Sequence, residues 1–267
     1  MRTLKLLAGM WTRRTAGLFA QKAQNALRRD RVWAQAFDAL LGGLEFASAE
    51  HPIRTLLVTS TQPLEGKSTV ALNLGIAAAR FGSRRVLLVD GDLRRPMLSA
   101  RFGRAGDLGL SDLLQGRATA DGIIQAARNL EADTNLSFMP AGQGGAGFIA
   151  TLNRERARSI MREAGAGFDI TLIDSPPVLA VNDAAILAGA ADGVLLIVGA
   201  GEVNARSAAL AKERLGQSGT PLVGAVLNRF VPSEHGLASH LYPDYWIDDS
   251  DPHTNGGHGP SSKDGDA

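Results

Sequence analysis

Val58-Thr59-Ser60-Thr61-Gln62-Pro63-Leu64-Glu65-Gly66-Lys67-Ser68-Thr69 is the stretch on which the fold turns. An apolar run from Thr55 to Val58 reads as a buried strand, and apolar periodicity from Lys67 to about Phe81, closed by Gly82, reads as a helix. Gly66-Lys67-Ser68 therefore sits where strand turns into helix. Main-chain N–H groups in such a turn and the positive end of the helix dipole favour an anion; Lys67 adds a full charge and Ser68 a hydroxyl for Mg²⁺. The pattern is a P-loop, so Thr61, Gln62, Pro63, Leu64, Glu65, Gly66, Lys67, Ser68 and Thr69 are the expected nucleotide cradle. Two positions depart from G-x-x-x-x-G-K-[ST]. Thr61 stands where the first glycine belongs, and Leu64 occupies a bend that a residue without a β-carbon would fill with less constraint.

Two further strands end in acids. Val86-Leu87-Leu88-Val89-Asp90 has no polar alternation, which suits a parallel strand covered on both faces, and it runs into Gly91-Asp92-Leu93-Arg94-Arg95-Pro96. Ile170-Thr171-Leu172-Ile173-Asp174 is stopped by Ser175-Pro176-Pro177 and should deliver Asp174 to the sheet edge that holds Asp90. Carboxylates at the C-terminal ends of parallel strands face the ligand crevice of a doubly wound sheet. A magnesium ion between phosphates takes one or two protein oxygens and keeps several waters, so Asp174 is expected to hold its water shell.

Helical spacing extends over Val32 to Ala49, Phe148 to Glu163, Asp183 to Ala188 and Ala205 to Leu215; strands are expected at Leu136 to Met139, Gly193 to Val198 and Leu222 to Leu227. Gly109-Leu110-Ser111-Asp112-Leu113-Leu114 reads as a short helix capped by Ser111. Gln143 to Gly147 is glycine-rich without phosphate-loop spacing and reads as a plain loop. Alternating strands and helices give an α/β, doubly wound, mostly parallel sheet.

With 267 residues and 45% hydrophobic side chains, one full domain with extensions is expected: a basic segment over 1–31, the main domain over 32–232 and a polar tail over 233–267. Zero cysteines exclude disulfides and thiolate metal sites, and the five histidines have no metal-ligand spacing. Net charge is only +1 but unevenly placed. Residues 1–31 carry eight basic side chains against Asp30, a pattern for an anionic membrane face or an acidic partner. No apolar run reaches the ~20 residues needed to cross a bilayer. The expected location is cytoplasmic, peripheral at most, and no nucleic-acid partner is expected. The tail holds the chain's two tyrosines, Tyr242 and Tyr245.

Taken in order, Thr59-Ser60 through Glu65-Gly66-Lys67-Ser68-Thr69, Leu87 through Asp90-Gly91-Asp92-Leu93-Arg94-Arg95-Pro96, and Ile173-Asp174-Ser175-Pro176-Pro177 resemble the bacterial tyrosine kinases, P-loop ATPases of the MinD/ParA-like type that govern capsule and exopolysaccharide export. Gly109-Leu110-Ser111-Asp112 and Val226-Leu227-Asn228-Arg229 are similar to the family too. The resemblance implies ATP and Mg²⁺ as cofactors, Lys67 on the β and γ phosphates, and Ser68 with Asp174, and Asp90 beside them, at the metal. It implies Asp90 and Asp92 at the transferring phosphoryl group, one of them a candidate acceptor of the tyrosine proton, Asn228 at the adenine, Arg229 in the nucleotide site, and Tyr242 and Tyr245 as phosphoacceptors. It also implies a membrane-anchored polysaccharide co-polymerase as activating partner, and self-association. Two features differ from the family: the Glu-x-x-Arg-x-x-Arg ring motif is replaced at Gln35, Asp38 and Leu41, and two tyrosines do not make a cluster. Two other readings stand beside the kinase: an ATP-binding scaffold of polysaccharide assembly, and an ATPase switch like the partitioning proteins, whose early P-loop lysine is Gln62 here.

Overall fold

The computed structural model describes residues 31–49, 52–81, 84–126, 135–144 and 154–230. The basic segment 1–30, the tail with Tyr242 and Tyr245, Gly82, and residues 148–153 of the expected 148–163 helix lie outside them.

The elements follow as α1 (Arg31–Ser48), β1 (Thr55–Ser60), α2 (Lys67–Phe81), β2 (Val86–Asp90), α3 (Met97–Arg101), α4 (Leu110–Leu114), α5 (Ala120–Ile123), β3 (Gln125–Ala126), β4 (Leu136–Met139), α6 (Arg154–Gly165), β5 (Ile170–Asp174), α7 (Asp183–Ala188), β6 (Gly193–Gly199), α8 (Ala205–Gly216) and β7 (Leu222–Asn228). One sheet takes the order β3-β4-β2-β5-β1-β6-β7. Every pairing is parallel except the two-residue β3 against β4.

The apolar runs without alternation have the expected cause. β1, β2 and β5 are buried along their whole length, and their side chains feed two cores. Leu56, Val58, Val86, Leu88 and Leu172 pack with α1 and α2 on one face. Leu57, Leu87, Val89 and Ile173 pack with α4 to α8 on the other. Successive strand residues point to opposite faces, so helices on both sides are what such runs require. β1 lies between β5 and β6, and the chain crosses from one side of it to the other. Its C-terminal end is thus the switch point where ligands bind in this architecture.

Two local expectations need correction. Gly109, not Ser111, takes the N-cap position of α4, with extended backbone at φ −163°. The reason is space: a β-carbon at 109 would stand 2.1 Å from the Pro140 carbonyl oxygen. Asp112 then accepts the Gly109 N–H at 3.0 Å, while the Ser111 hydroxyl accepts the Gly144 N–H. The second correction concerns α6, which runs to Gly165 rather than ending at Glu163. In α1, Leu41 is buried beside Phe37 and Leu44, whereas Gln35 and Asp38 face solvent. The third ring-motif position thus serves the core.

Candidate active site

β1 ends at Ser60 and α2 begins at Lys67, so residues 61–66 form the cradle and Lys67 is the first helical residue. No acidic residue stands in the first turn of α2, which leaves its positive end for an external anion. Gly66 has φ +90°, and a β-carbon there would meet the Asn228 amide nitrogen at 2.3 Å. Only glycine satisfies both constraints.

Leu64 also lies in the left-handed region, at φ 73°, while Thr61 does not. Of the two departures from the glycine pattern, then, the one at Thr61 carries no backbone strain and the one at Leu64 does. The Thr61 hydroxyl is buried without a hydrogen-bond partner; Gln62, Pro63 and Leu64 are exposed.

The Glu65 carboxylate is bonded within the protein. One of its carboxylate oxygens accepts the Gln62 N–H at 2.6 Å and the other accepts the Gly199 N–H at 2.9 Å, tying the loop to the end of β6. Its main-chain carbonyl accepts the Asn228 amide at 2.7 Å, tying the loop to the end of β7. The Glu65 side chain is engaged within the protein, which narrows the expected ligand contact to its main chain. Asn228, expected at the adenine, is placed against the P-loop. Sequence reasoning missed this clamp, and no local signal marks it, since the groups that meet Glu65 come from the ends of distant strands.

Three aspartates surround Lys67. Its Nζ lies 3.2 Å from Asp92 Oδ2, 3.6 Å from Asp174 Oδ1 and 3.2 Å from Ser68 Oγ. Asp90 and Asp174 are directly opposite each other in the β2–β5 register, as expected. Gly91 owes its identity to packing rather than turn chemistry, since a β-carbon there would stand 2.7 Å from the Asp174 carbonyl oxygen. Beyond it, Arg94 grips the buried Asp183 in a two-point bridge, Nε to Oδ2 at 2.6 Å and Nη2 to Oδ1 at 3.1 Å. The Arg95 N–H donates to Asp92 Oδ1 at 3.0 Å.

The cluster is short of positive charge. Burial alone pulls the Lys67 ammonium down, but Asp174, Asp92 and Asp90 outweigh it, and the net shift is upward. Burial, then the Asp174 charge, pushes Asp90 up to about 7 despite two hydrogen bonds from Ser99. Asp174 is also raised, because burial outweighs the nearby Lys67 charge and Ser68 hydroxyl. Among the described residues, Asp90 Oδ1 and both Asp174 oxygens are buried with no hydrogen-bond partner, the Lys67 ammonium lying 3.6 Å from Asp174 Oδ1. Unpartnered carboxylate oxygens in a desolvated cluster are the chemistry a hard divalent cation satisfies, so Ser68, Asp90 and Asp174 fit Mg²⁺.

Comparison with known proteins agrees with this geometry. Residues 56–242 match the family model of the CobQ/CobB/MinD/ParA nucleotide binding domain. The tyrosine-protein kinase YwqD of Bacillus subtilis is 32% identical over 202 residues, covering 76% of this chain and 83% of that protein. The solved kinase domain of the Escherichia coli tyrosine kinase ETK superposes with a TM-score of 0.66 at 30% identity, over 74% of this chain and 77% of that one. The septum site-determining protein MinD of Pyrococcus horikoshii, complexed with Mg-ADP, follows at a TM-score of 0.54 and 25% identity, over 68% of this chain and 72% of that one.

Proposed function

Because the chain belongs to the CobQ/CobB/MinD/ParA nucleotide-binding family, and within it to the bacterial tyrosine kinases, we propose that it transfers the γ-phosphoryl group of ATP to tyrosine, with Mg²⁺, in the control of exopolysaccharide or capsule assembly. The observation that carries this reading is the Lys67–Asp92–Asp174 cluster, with Asp90 opposite Asp174, at the C-terminal ends of three adjacent parallel strands.

Phosphoryl transfer asks a protein mainly for positioning and charge neutralisation. The N–H groups at the start of α2 and Lys67 would orient the triphosphate. Mg²⁺, when bound by Ser68, Asp90 and Asp174, would neutralise the phosphate oxygens. Asp92 is tied through both oxygens to Lys67 and the Arg95 N–H, whereas Asp90 keeps Oδ1 free, so Asp90 would accept the tyrosine proton where Ser68 and Asp174 alone hold the metal. Asn228 and Arg229 are proposed for the base, and Tyr242 and Tyr245 as acceptors. A membrane-anchored activator, self-association, and attraction of residues 1–31 to an anionic membrane at the inner face belong to the same proposal. Among the described residues no helix is long and apolar enough to cross a membrane. One observation favours the scaffold instead: Leu41, at a ring-motif position, is buried in the core.

Incubation with Mg-ATP, with and without the activator's cytoplasmic segment, followed by mass spectrometry of the tail, separates the two. Phosphate on Tyr242 or Tyr245 that disappears in Lys67→Arg supports the kinase. Lys67→Met is a poorer control, since it also removes the counter-ion of Asp92 and Asp174. ATP binding with no phosphate on either tyrosine, partner present, would make the chain a scaffold.

A further inference from the structure

Asp90 is held from one side only. Oδ2 accepts both the Ser99 N–H and the Ser99 hydroxyl, each at 2.7 Å, while Oδ1 has no hydrogen-bond partner. The direction of the serine proton follows from a third bond. The Ala141 N–H donates to Ser99 Oγ at 2.9 Å, so the hydroxyl, already an acceptor there, has its proton for Asp90. Ser99 is itself buried, at 1% exposure, in the α3 helix.

Ala141 in turn is fixed by a motif to which the site gives no direct role. The Leu110 N–H donates to the Pro140 carbonyl at 2.8 Å and the Ser111 N–H to the Ala141 carbonyl at 2.9 Å. Asp112 accepts the Gly109 and Gln143 N–H groups and pairs with Arg117. Gly142, at φ +96°, fits because a β-carbon would stand 2.2 Å from Ser111 Oγ. Gly109-Leu110-Ser111-Asp112 is thus the frame that holds the loop after β4, and the loop holds Ser99.

We propose that Ser99 is the positioning residue of Asp90: it occupies Oδ2 with two donors and so reserves Oδ1 for the metal's water shell or the incoming tyrosine proton. This rests on the kinase reading of the site. Ser99 is buried, and its side chain bonds only Asp90 and the Ala141 N–H among the described residues, so it would act through Asp90. Partners that orient a metal-site carboxylate in this way typically change activity or metal affinity by about 10–100-fold when removed.

The test compares wild type, Ser99→Ala and Ser99→Thr in the full chain by three readouts: kcat and KM for ATP in tail phosphorylation and in ATP hydrolysis, affinity for fluorescent ADP titrated with Mg²⁺, and the crystal structure of Ser99→Ala. The expected result for Ser99→Ala is a kcat reduced about 10–100-fold, KM for ATP within about threefold of wild type, and an Asp90 carboxylate rotated from its present orientation. Ser99→Thr, which keeps the hydroxyl, should recover most of kcat. An unchanged kcat with Asp90 in place overturns the positioning role, and so does a loss that Ser99→Thr fails to restore while it folds normally. If wild type hydrolyses ATP but phosphorylates no tyrosine, the kinase reading falls and the Ser99 comparison is read from hydrolysis and from the Asp90 orientation. Should Ser99→Ala not fold, Ser99→Cys, which keeps the volume but weakens the donor, takes its place under the same criteria.

Discussion

Asn228 donates its side-chain amide to the main-chain carbonyl of Glu65 at 2.7 Å, joining the last residue of β7 to the phosphate loop across 163 positions of chain. The same amide nitrogen fills the space above Gly66. Asn228→Ala would leave that carbonyl without its partner and the loop without its lid. The expected cost is about 1 kcal/mol, a fall of about 2–4 °C in Tm, with ADP binding weaker by up to about tenfold. Calorimetry and an ADP titration check both. Should Asn228 also read the base, the ATP-to-GTP preference will narrow as well, a change that loosening of the loop alone does not produce.

Leu64 holds a left-handed backbone, φ 73°, with 84% of its surface exposed, and so carries strain without burial in return. Leu64→Gly relieves roughly 1 kcal/mol of strain but adds a similar amount of unfolded-chain freedom. Tm should therefore stay within about 3 °C, with nucleotide binding retained. Leu64→Val is the contrasting variant, since a β-branched side chain tolerates positive φ worst. It should lose about 1–2 kcal/mol in chemical denaturation. Equal stability of the two variants would show that the loop does not keep this conformation.

Asp90 gives the site a pH dependence whose sign is fixed. Its pKa rises on folding from 3.8 to about 7, so the folded state binds the extra proton between those values. The stability it contributes is full below pH 3.8 and is lost as pH climbs through about 7. Asp174 shifts in the same direction. Asp90→Asn removes the titration, and its Tm advantage over wild type should grow from pH 5 to pH 8. Mg²⁺ needs the ionised acid, so Mg-nucleotide binding near pH 6 should release a proton. Calorimetry in buffers of different ionisation enthalpy measures that release; none at pH 6 would mean that Asp90 is already ionised.

How much of this was legible in the sequence depended on the range of the interaction. The strands were legible because Leu56 and Leu57 must be buried on opposite faces, and only a doubly covered sheet does that. That Lys67, Ser68, Asp90 and Asp174 meet at one edge of the sheet was legible because strand ends follow from local spacing. Glu65 and Asn228 were not: both sit in motifs that suggested ligand contact, and their partners Gly199 and Glu65 lie 134 and 163 residues away. The cap falls at Gly109 rather than Ser111 because hydroxyl capping is a local rule, whereas the Pro140 carbonyl that excludes a side chain at 109 arrives from another element. Ser99 carries no motif signal, and its role follows only from the fold bringing Asp90 and Ala141 to it.

The Arg94–Asp183 bridge shows what the Asp-x-Asp-x-Arg-Arg-Pro segment needs from its first arginine. Asp183 is buried in the first turn of α7, and both of its oxygens face the guanidinium. Arg94 itself is 42% exposed at the side chain, so solvent screens part of the attraction. Removing Arg94 leaves a buried carboxylate with no counter-charge among the described residues, which costs more than an exposed pair is worth. Arg94→Ala should destabilise by about 1–3 kcal/mol, and Arg94→Lys should recover less than half of it, because an ammonium cannot reproduce the two-point geometry. The loop between Asp92 and Pro96 would loosen with it, so kcat should fall in both variants while ADP affinity holds. A double-mutant cycle with Asp183→Asn isolates the pair: a coupling energy near zero, with kcat unchanged, would show that Arg94 is ordinary surface charge and that the motif keeps it for some contact other than Asp183.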